Sequence, residues 1–168
     1  AQTEPCTGET FVNYWLHCAH LMVEGQKMSK SLGNFFTLRD LLDKGYSGRE
    51  IRWVLIGTHY RQSLNFSFKA LEEARTALQR IDAFRTRLDE LSNAPDSGCD
   101  DVKAPMATAA AGFQAGLADD LNISMALAAL FDYIRDLNRL MDDGKCAGAA
   151  ARDARALLER FDSVLAVC

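Results

Sequence analysis

The sequence predicts a mainly α-helical protein, with a strand and a basic loop near its start, short helices next, and an antiparallel helical bundle to finish. Three observations carry this. Apolar residues recur at helical spacing from Thr37 onward, and hydroxyl residues three places ahead of carboxylates mark helix starts. One run rich in Pro, Gly, Asp and Ser, from Ser92 to Pro105, separates long helical stretches.

Each element follows from its residues. "HLMVEG", His20 to Gly25, is a short apolar run ending at a glycine and reads as a buried strand. One strand makes no sheet, so its partners are expected upstream of this sequence. Without them, residues 1–36 are expected to be mobile or to pair with another chain. "TLRD" and "SGRE" have capping-box spacing and open helices carrying Leu38, Leu41 and Leu42, then Ile51, Val54 and Leu55. Ser67 reads as the cap of a long helix. Its stripe steps through Leu71, Ala74, Leu78, Ile81, Arg85, Leu88 and Leu91. Three further helices carry Phe113 and Leu117, then Phe131 and Ile134, then Leu157 and Phe161, with "DDGKCAG" as the last turn. Amphipathic helices on short connections make a bundle.

Composition narrows the class. The 168 residues are 48% hydrophobic and 25% charged, ordinary for a folded soluble protein. No apolar run approaches the roughly 20 residues a membrane helix needs, and "AQTEPCTGET" is not a signal peptide. The chain lacks an initiator Met, so it is expected to begin partway through something larger. Five dispersed cysteines, none in C-x-x-C, fit reduced thiols in a cytoplasmic protein. The net charge is −4, yet residues 26–80 carry ten Lys/Arg against five Asp/Glu, so an anionic partner is expected around and after the basic loop.

That loop is "EGQKMSKSLGN", residues 24–34. Two lysines, Lys27 and Lys30, stand beside two hydroxyls, Ser29 and Ser31, between Gly25 and Gly33. Lysine is a compact charge with rotatable donors, able to follow an oxygen that gains charge during reaction. A glycine-flanked loop closing over a polyphosphate stabilises charge that builds as pyrophosphate departs, which is what catalysis requires. The same residue types also make an ordinary solvated basic loop.

"KMSKS" followed by "LGN" resembles the second signature of class I aminoacyl-tRNA synthetases. With "FVNYWLHCAHLMVEG" before it, and "IRWVLIGTHYRQSLNFS" and "LADDLNISMALAALFDYIRDLNRL" after it, the chain resembles the cysteinyl-tRNA synthetases over nearly its whole length. The resemblance implies that residues 1–36 end a Rossmann-type catalytic domain, that 37–66 are stem-contact helices, and that 67–168 are a tRNA-binding bundle with a loop at 92–105. It implies ATP with Mg as substrate and an ATP-binding loop of Lys27, Met28, Ser29, Lys30 and Ser31. Lys30 and Lys27 are then the catalytic pair, and Met28 packs to seat the loop. It implies cysteine and tRNA(Cys) as the parent's other partners, in a cytoplasmic and monomeric enzyme.

Arg39, Arg49, Arg52, Arg61, Arg75 and Arg80 are the candidate tRNA phosphate partners. For each, a solvated face or a surface ion pair competes with that reading. The "HIGH" signature does not occur in this chain, and the resemblance places the zinc ligands of the parent upstream, so no metal site is expected here. In "HCAH" (His17, Cys18 and His20), His17 and Cys18 instead read as the end of a helix packed on the sheet. His59 and Tyr60 read as helix-end residues, and the acids of "ADDLN" as turn and cap residues. The expectation is therefore a piece of a cysteine-activating ligase, inactive alone. A paralogous ligase joining cysteine to an amino-sugar and a non-catalytic RNA-binding module are the alternatives.

Overall fold

The computed structural model describes residues 3–29 and 31–168. Among them, seven helices and one three-stranded sheet form the mainly α fold that the periodicity predicts. The sheet is small but complete enough to overturn one expectation. β1 (Leu21–Val23) pairs antiparallel with β2 (Gln26–Lys27) and parallel with β3 (Leu64–Phe66), in the order β2-β1-β3. Both partners come from downstream. The sequence reading missed them because two- and three-residue strands carry no periodicity.

A second correction concerns the start. Helix α1 covers only Thr3–Thr7, and residues 9–20 hold no helix, so His17 and Cys18 do not end one. Their neighbours Phe11, Tyr14, Trp15 and Leu16 are exposed.

The two short helices behave as their caps predict. Thr37 caps α2 (Leu38–Asp43) and Ser47 caps α3 (Gly48–Ile56), each in a full capping box with Asp40 or Glu50. Ser67 accepts from the Ala70 N–H at the start of α4 (Phe68–Leu91). α4 buries Leu71, Ala74, Leu78, Ile81, Phe84 and Leu88, so Phe84 holds the inward position that the periodicity gave to Arg85.

α5 (Lys103–Ala118), α6 (Ile123–Asp142) and α7 (Ala149–Leu165) complete the bundle. Pro105 sits in the first turn of α5, where its missing N–H leaves no helical bond unmade. Neighbour directions follow from the contacts. Arg80 lies over Phe131 while Arg87 reaches Asn138 and Asp142, so α4 and α6 run parallel. Arg155 meets Asp89 and Arg152 meets the Ser92 carbonyl, so α7 runs antiparallel to α4. In the centre, Phe84, Tyr133 and Phe161 pack edge to face, and the buried Tyr133 hydroxyl donates to the Ala154 carbonyl at 2.7 Å.

Helix α5 makes the return between parallel α4 and α6, while residues 92–102 stay at the end of the bundle where α6 turns into α7. Ser97 pairs with Ala147 there, and Gly98 (φ +71°) passes so close to Lys145 that a Cβ would lie 1.8 Å from its carbonyl oxygen. Only glycine fits that crossing.

Candidate functional site

The basic loop hangs from a two-residue hairpin. Glu24 (φ 50°) and Gly25 (φ 76°) turn β1 into β2, both in the left-handed region, as the tight turn between twisted strands requires. The turn is bolted to the start of α4. The Glu24 N–H donates to Phe66 O (3.0 Å), its carboxylate accepts from the Phe68 N–H (3.0 Å), and the Gly25 N–H donates to Asn65 Oδ1 (2.8 Å). A carboxylate at a helix N-terminus also suits the helix dipole.

Lys27 ends β2 with its side chain exposed. Met28 turns inward, against an apolar recess of about 230 Å³ that Val23, Phe36, Leu41 and Phe66 help to line. The Ser29 and Ser31 hydroxyls lie 2.7 Å apart. Lys30, named above as catalytic, lies outside the described residues.

Asn34 closes the loop. Its Oδ1 accepts from the Ser29 N–H at 2.8 Å, and its Nδ2 donates to the Lys27 carbonyl at 3.2 Å and to the Val23 carbonyl at 3.5 Å. One amide thus ties the loop's two ends to β1. The sequence reading passed over Asn34, although it follows Gly33 inside the quoted motif. A Gly-Asn pair at the end of a loop is the signal that could have found it.

The six arginines sort into different surroundings. Arg49 grips Asp82 with both fork nitrogens (2.8 and 3.2 Å) and also donates to the Val167 carbonyl. Arg52 donates to the Leu165 and Val164 carbonyls. These two cations therefore satisfy carbonyls at and just beyond the C-terminus of α7, where the helix dipole favours positive charge. Arg75 bridges the buried Glu50 and Glu72. Burial works to raise the Glu50 pKa, but the bonds from Arg75 and Ser47 outweigh it and hold the carboxyl below its ordinary value. Arg80 rests on the Phe131 ring, its guanidinium 4.9 Å from the ring centre. Arg39 is exposed on α2 and, among the described residues, has no ion pair or side-chain hydrogen bond.

Arg61 belongs to a clamp. Its guanidinium meets the Asp120 carboxylate (Nε to Oδ2 2.6 Å), the Tyr60 hydroxyl donates to the same carboxylate, and His59 Nε2 lies 2.8 Å from the Asp120 carbonyl oxygen. The Arg61 bond, then the Tyr60 bond, holds the Asp120 carboxyl below its ordinary range. Asp120 and Leu121 both take positive φ (51° and 57°), a conformation that costs Leu about 1 kcal/mol. So "HYR" and "ADDLN" meet in space, and the acid does more than cap a turn. Asn122 is the cap, accepting from the Met125 N–H.

Among the described residues no cluster of His, Cys, Asp and Glu could hold a metal ion, and His17, Cys18 and His20 are all exposed. No helix among them is long and apolar enough to cross a membrane.

Comparison with known families matches residues 1–76 to the catalytic domain of class I (C) tRNA synthetases and residues 112–167 to the DALR domain. The chain is 44% identical to the cysteine–tRNA ligase of Protochlamydia amoebophila and 46% identical to that of Solibacter usitatus, over 99% of its own length in both cases. The chain belongs to the class I tRNA synthetase family. It spans about a third of the length of those relatives, 34% and 36%. The fold of this synthetase segment also matches a LeuRS of Agrobacterium radiobacter K84, solved in ternary complex with tRNA and LeuAMS. That match has a TM-score of 0.66 at 19% identity, over 89% of this chain and 20% of that one. Within the segment, the clamp from His59, Tyr60 and Arg61 to Asp120 joins the catalytic-domain match to the DALR match.

Proposed function

We propose that this chain is the part of a cysteine–tRNA ligase that supplies the KMSKS loop for ATP and the helices that meet tRNA(Cys). One observation carries the reading: 44–46% identity to proteins named cysteine–tRNA ligase, continuous through the basic loop and the bundle. In the parent reaction the cysteine carboxylate attacks the α-phosphate of Mg-bound ATP, pyrophosphate leaves, and cysteine passes from the adenylate to the terminal ribose of tRNA. Lys27 and Lys30 stabilise the charge that grows on the phosphoryl oxygens and the departing pyrophosphate. Ser29 and Ser31 offer hydroxyls to the same phosphates, and Met28 seats the loop.

Residues 1–36 then act as the end of the catalytic domain, 37–66 as the stem-contact region, and 67–168 as the bundle along the tRNA. Of the six arginines, Arg39 and Arg80 are the best phosphate partners, since among the described residues neither is paired with a carboxylate or a backbone carbonyl. The parent enzyme is cytoplasmic and monomeric, and its zinc is held by residues outside this chain. The exposed His17, Cys18 and His20 form no ligand set that fits the ion, so no step here runs through it.

The test grafts this chain into the matching third of the Protochlamydia ligase and follows cysteine-dependent ATP–pyrophosphate exchange. The chimera is expected to exchange, and Lys30→Ala to lower the rate by about a hundred- to a thousandfold, the usual loss of one transition-state donor. The chain alone is expected to be silent. A folded chimera whose rate ignores both Lys27→Ala and Lys30→Ala refutes the assignment.

A further inference from the structure

We infer that the groove between α4 and α6 is a docking site for the sugar-phosphate backbone of RNA. The inference rests on the RNA reading above and says which face of the bundle meets it. The groove is a cavity of about 590 Å³ with four arginines in its walls, Arg80 and Arg87 from α4 and Arg135 and Arg139 from α6. Asp142 is the one carboxylate in its lining. Parallel packing of α4 and α6 brings the four together. The arginines on each helix are spaced to share a face, two turns apart on α4 and one turn apart on α6.

The four differ in what already holds them. Arg87 donates to Asn138 Oδ1 (3.0 Å) and to Asp142, and Arg135 binds Asp132 and Asp136. Those two are positioned and partly neutralised. Arg139 is exposed and, among the described residues, has no ion pair or side-chain hydrogen bond. Arg80 is held by the face of Phe131, a contact that fixes the guanidinium without using any of its N–H donors. Arg80 and Arg139 therefore carry the binding, with forks free to take phosphate oxygens in pairs.

The groove's chemistry favours a backbone over bases. Phe84 is buried beneath it and the Phe131 ring is covered by Arg80, so no open aromatic face is left for a base to stack on. Its cations offer phosphate contacts, which position a nucleic acid without reading its sequence.

The experiment titrates fluorescein-labelled tRNA(Cys) transcript with this chain by anisotropy, from about 25 to 200 mM KCl, a range over which phosphate contacts dominate affinity. Arg80→Gln/Arg139→Gln is expected to weaken binding about tenfold at low salt. It should also flatten the dependence of log K on log salt by about two, near one per lost contact. Lys103→Gln/Arg160→Gln removes the same charge from the α5–α7 face and is expected to leave the slope unchanged. Single Arg139→Glu, on a solvated side chain, should move affinity in the same direction as the groove variant. Circular dichroism and thermal melting confirm that each variant folds. If both double variants weaken binding equally, or the groove variant keeps the wild-type slope, the groove is wrong while the RNA reading stands. If wild-type chain fails to bind tRNA at about 25 mM salt, the RNA reading falls and the groove with it.

Discussion

In α4–α7 the apolar stripes close on one another until Leu71, Ile81, Leu88 and Leu137 have no exposed surface, while before β1 Phe11, Tyr14, Trp15 and Leu16 stand in solvent, Tyr14 at 90%. The two regions contain similar residue types. They differ in whether the chain supplies the opposing face. A helix stripe needs one partner helix, and the bundle holds four. The aromatic segment needs a surface broader than a sheet of two- and three-residue strands can offer. What is ordered near the loop is ordered by hydrogen bonds through Glu24, Asn34 and Asn65 together with a small apolar patch under Met28, formed by Val23, Leu41 and Phe66.

That contrast can be broken first where it is strongest. Leu137→Ala opens a cavity in the fully closed core and is expected to cost about 2–5 kcal/mol, whereas Tyr14→Ala should stay within about 0.5 kcal/mol. Urea unfolding of both variants measures the difference. Equal effects would mean that the aromatic segment is covered in solution.

A smaller and local effect is expected at the loop. Asn34→Ala removes the bond to the Ser29 N–H. Amide exchange at Ser29 should quicken about fivefold, the equivalent of one hydrogen bond near 1 kcal/mol. Global stability should hardly change, because no core side chain is touched. Unchanged exchange would show that something other than Asn34 holds the loop.

The finest test is electrostatic. The Asp120 carboxyl lies below its ordinary value of 3.8 because Arg61 and Tyr60 bind its charged form. Its contribution is therefore complete above that ordinary value and is lost as pH falls through the lower folded-state value. NMR should show the Tyr60 and Arg61 amides shifting together in that acid window, with the bundle core unmoved. In Asp120→Asn the transition should be missing, and its persistence would assign the titration to another group.

Much of the fold was readable because helices announce themselves locally. Thr37–Asp40 and Ser47–Glu50 form the capping boxes that their spacing promised, and Ser67 caps α4. The sheet was not readable, since β2 and β3 are too short to show alternation and 40 residues separate β1 from β3. The hidden parts of the site share that cause. Asn34 and Asp120 act on backbone and side chains that only the folded chain brings near them.

By itself, then, the sequence determined what lies within a few turns: helix starts, apolar stripes, and the two-lysine, two-hydroxyl loop that marks the family. Tertiary structure alone decided the pairings. It set Arg49 against Asp82 and the Val167 carbonyl and Arg52 against the Leu165 carbonyl, and it joined Arg61 to Asp120. It also set Arg80 and Arg139 in the walls of one groove. The physical reason is that an arginine's chemistry is the same everywhere along a chain. Whether it meets a carboxylate, a helix end, an aromatic face or solvent depends on residues that are distant in sequence.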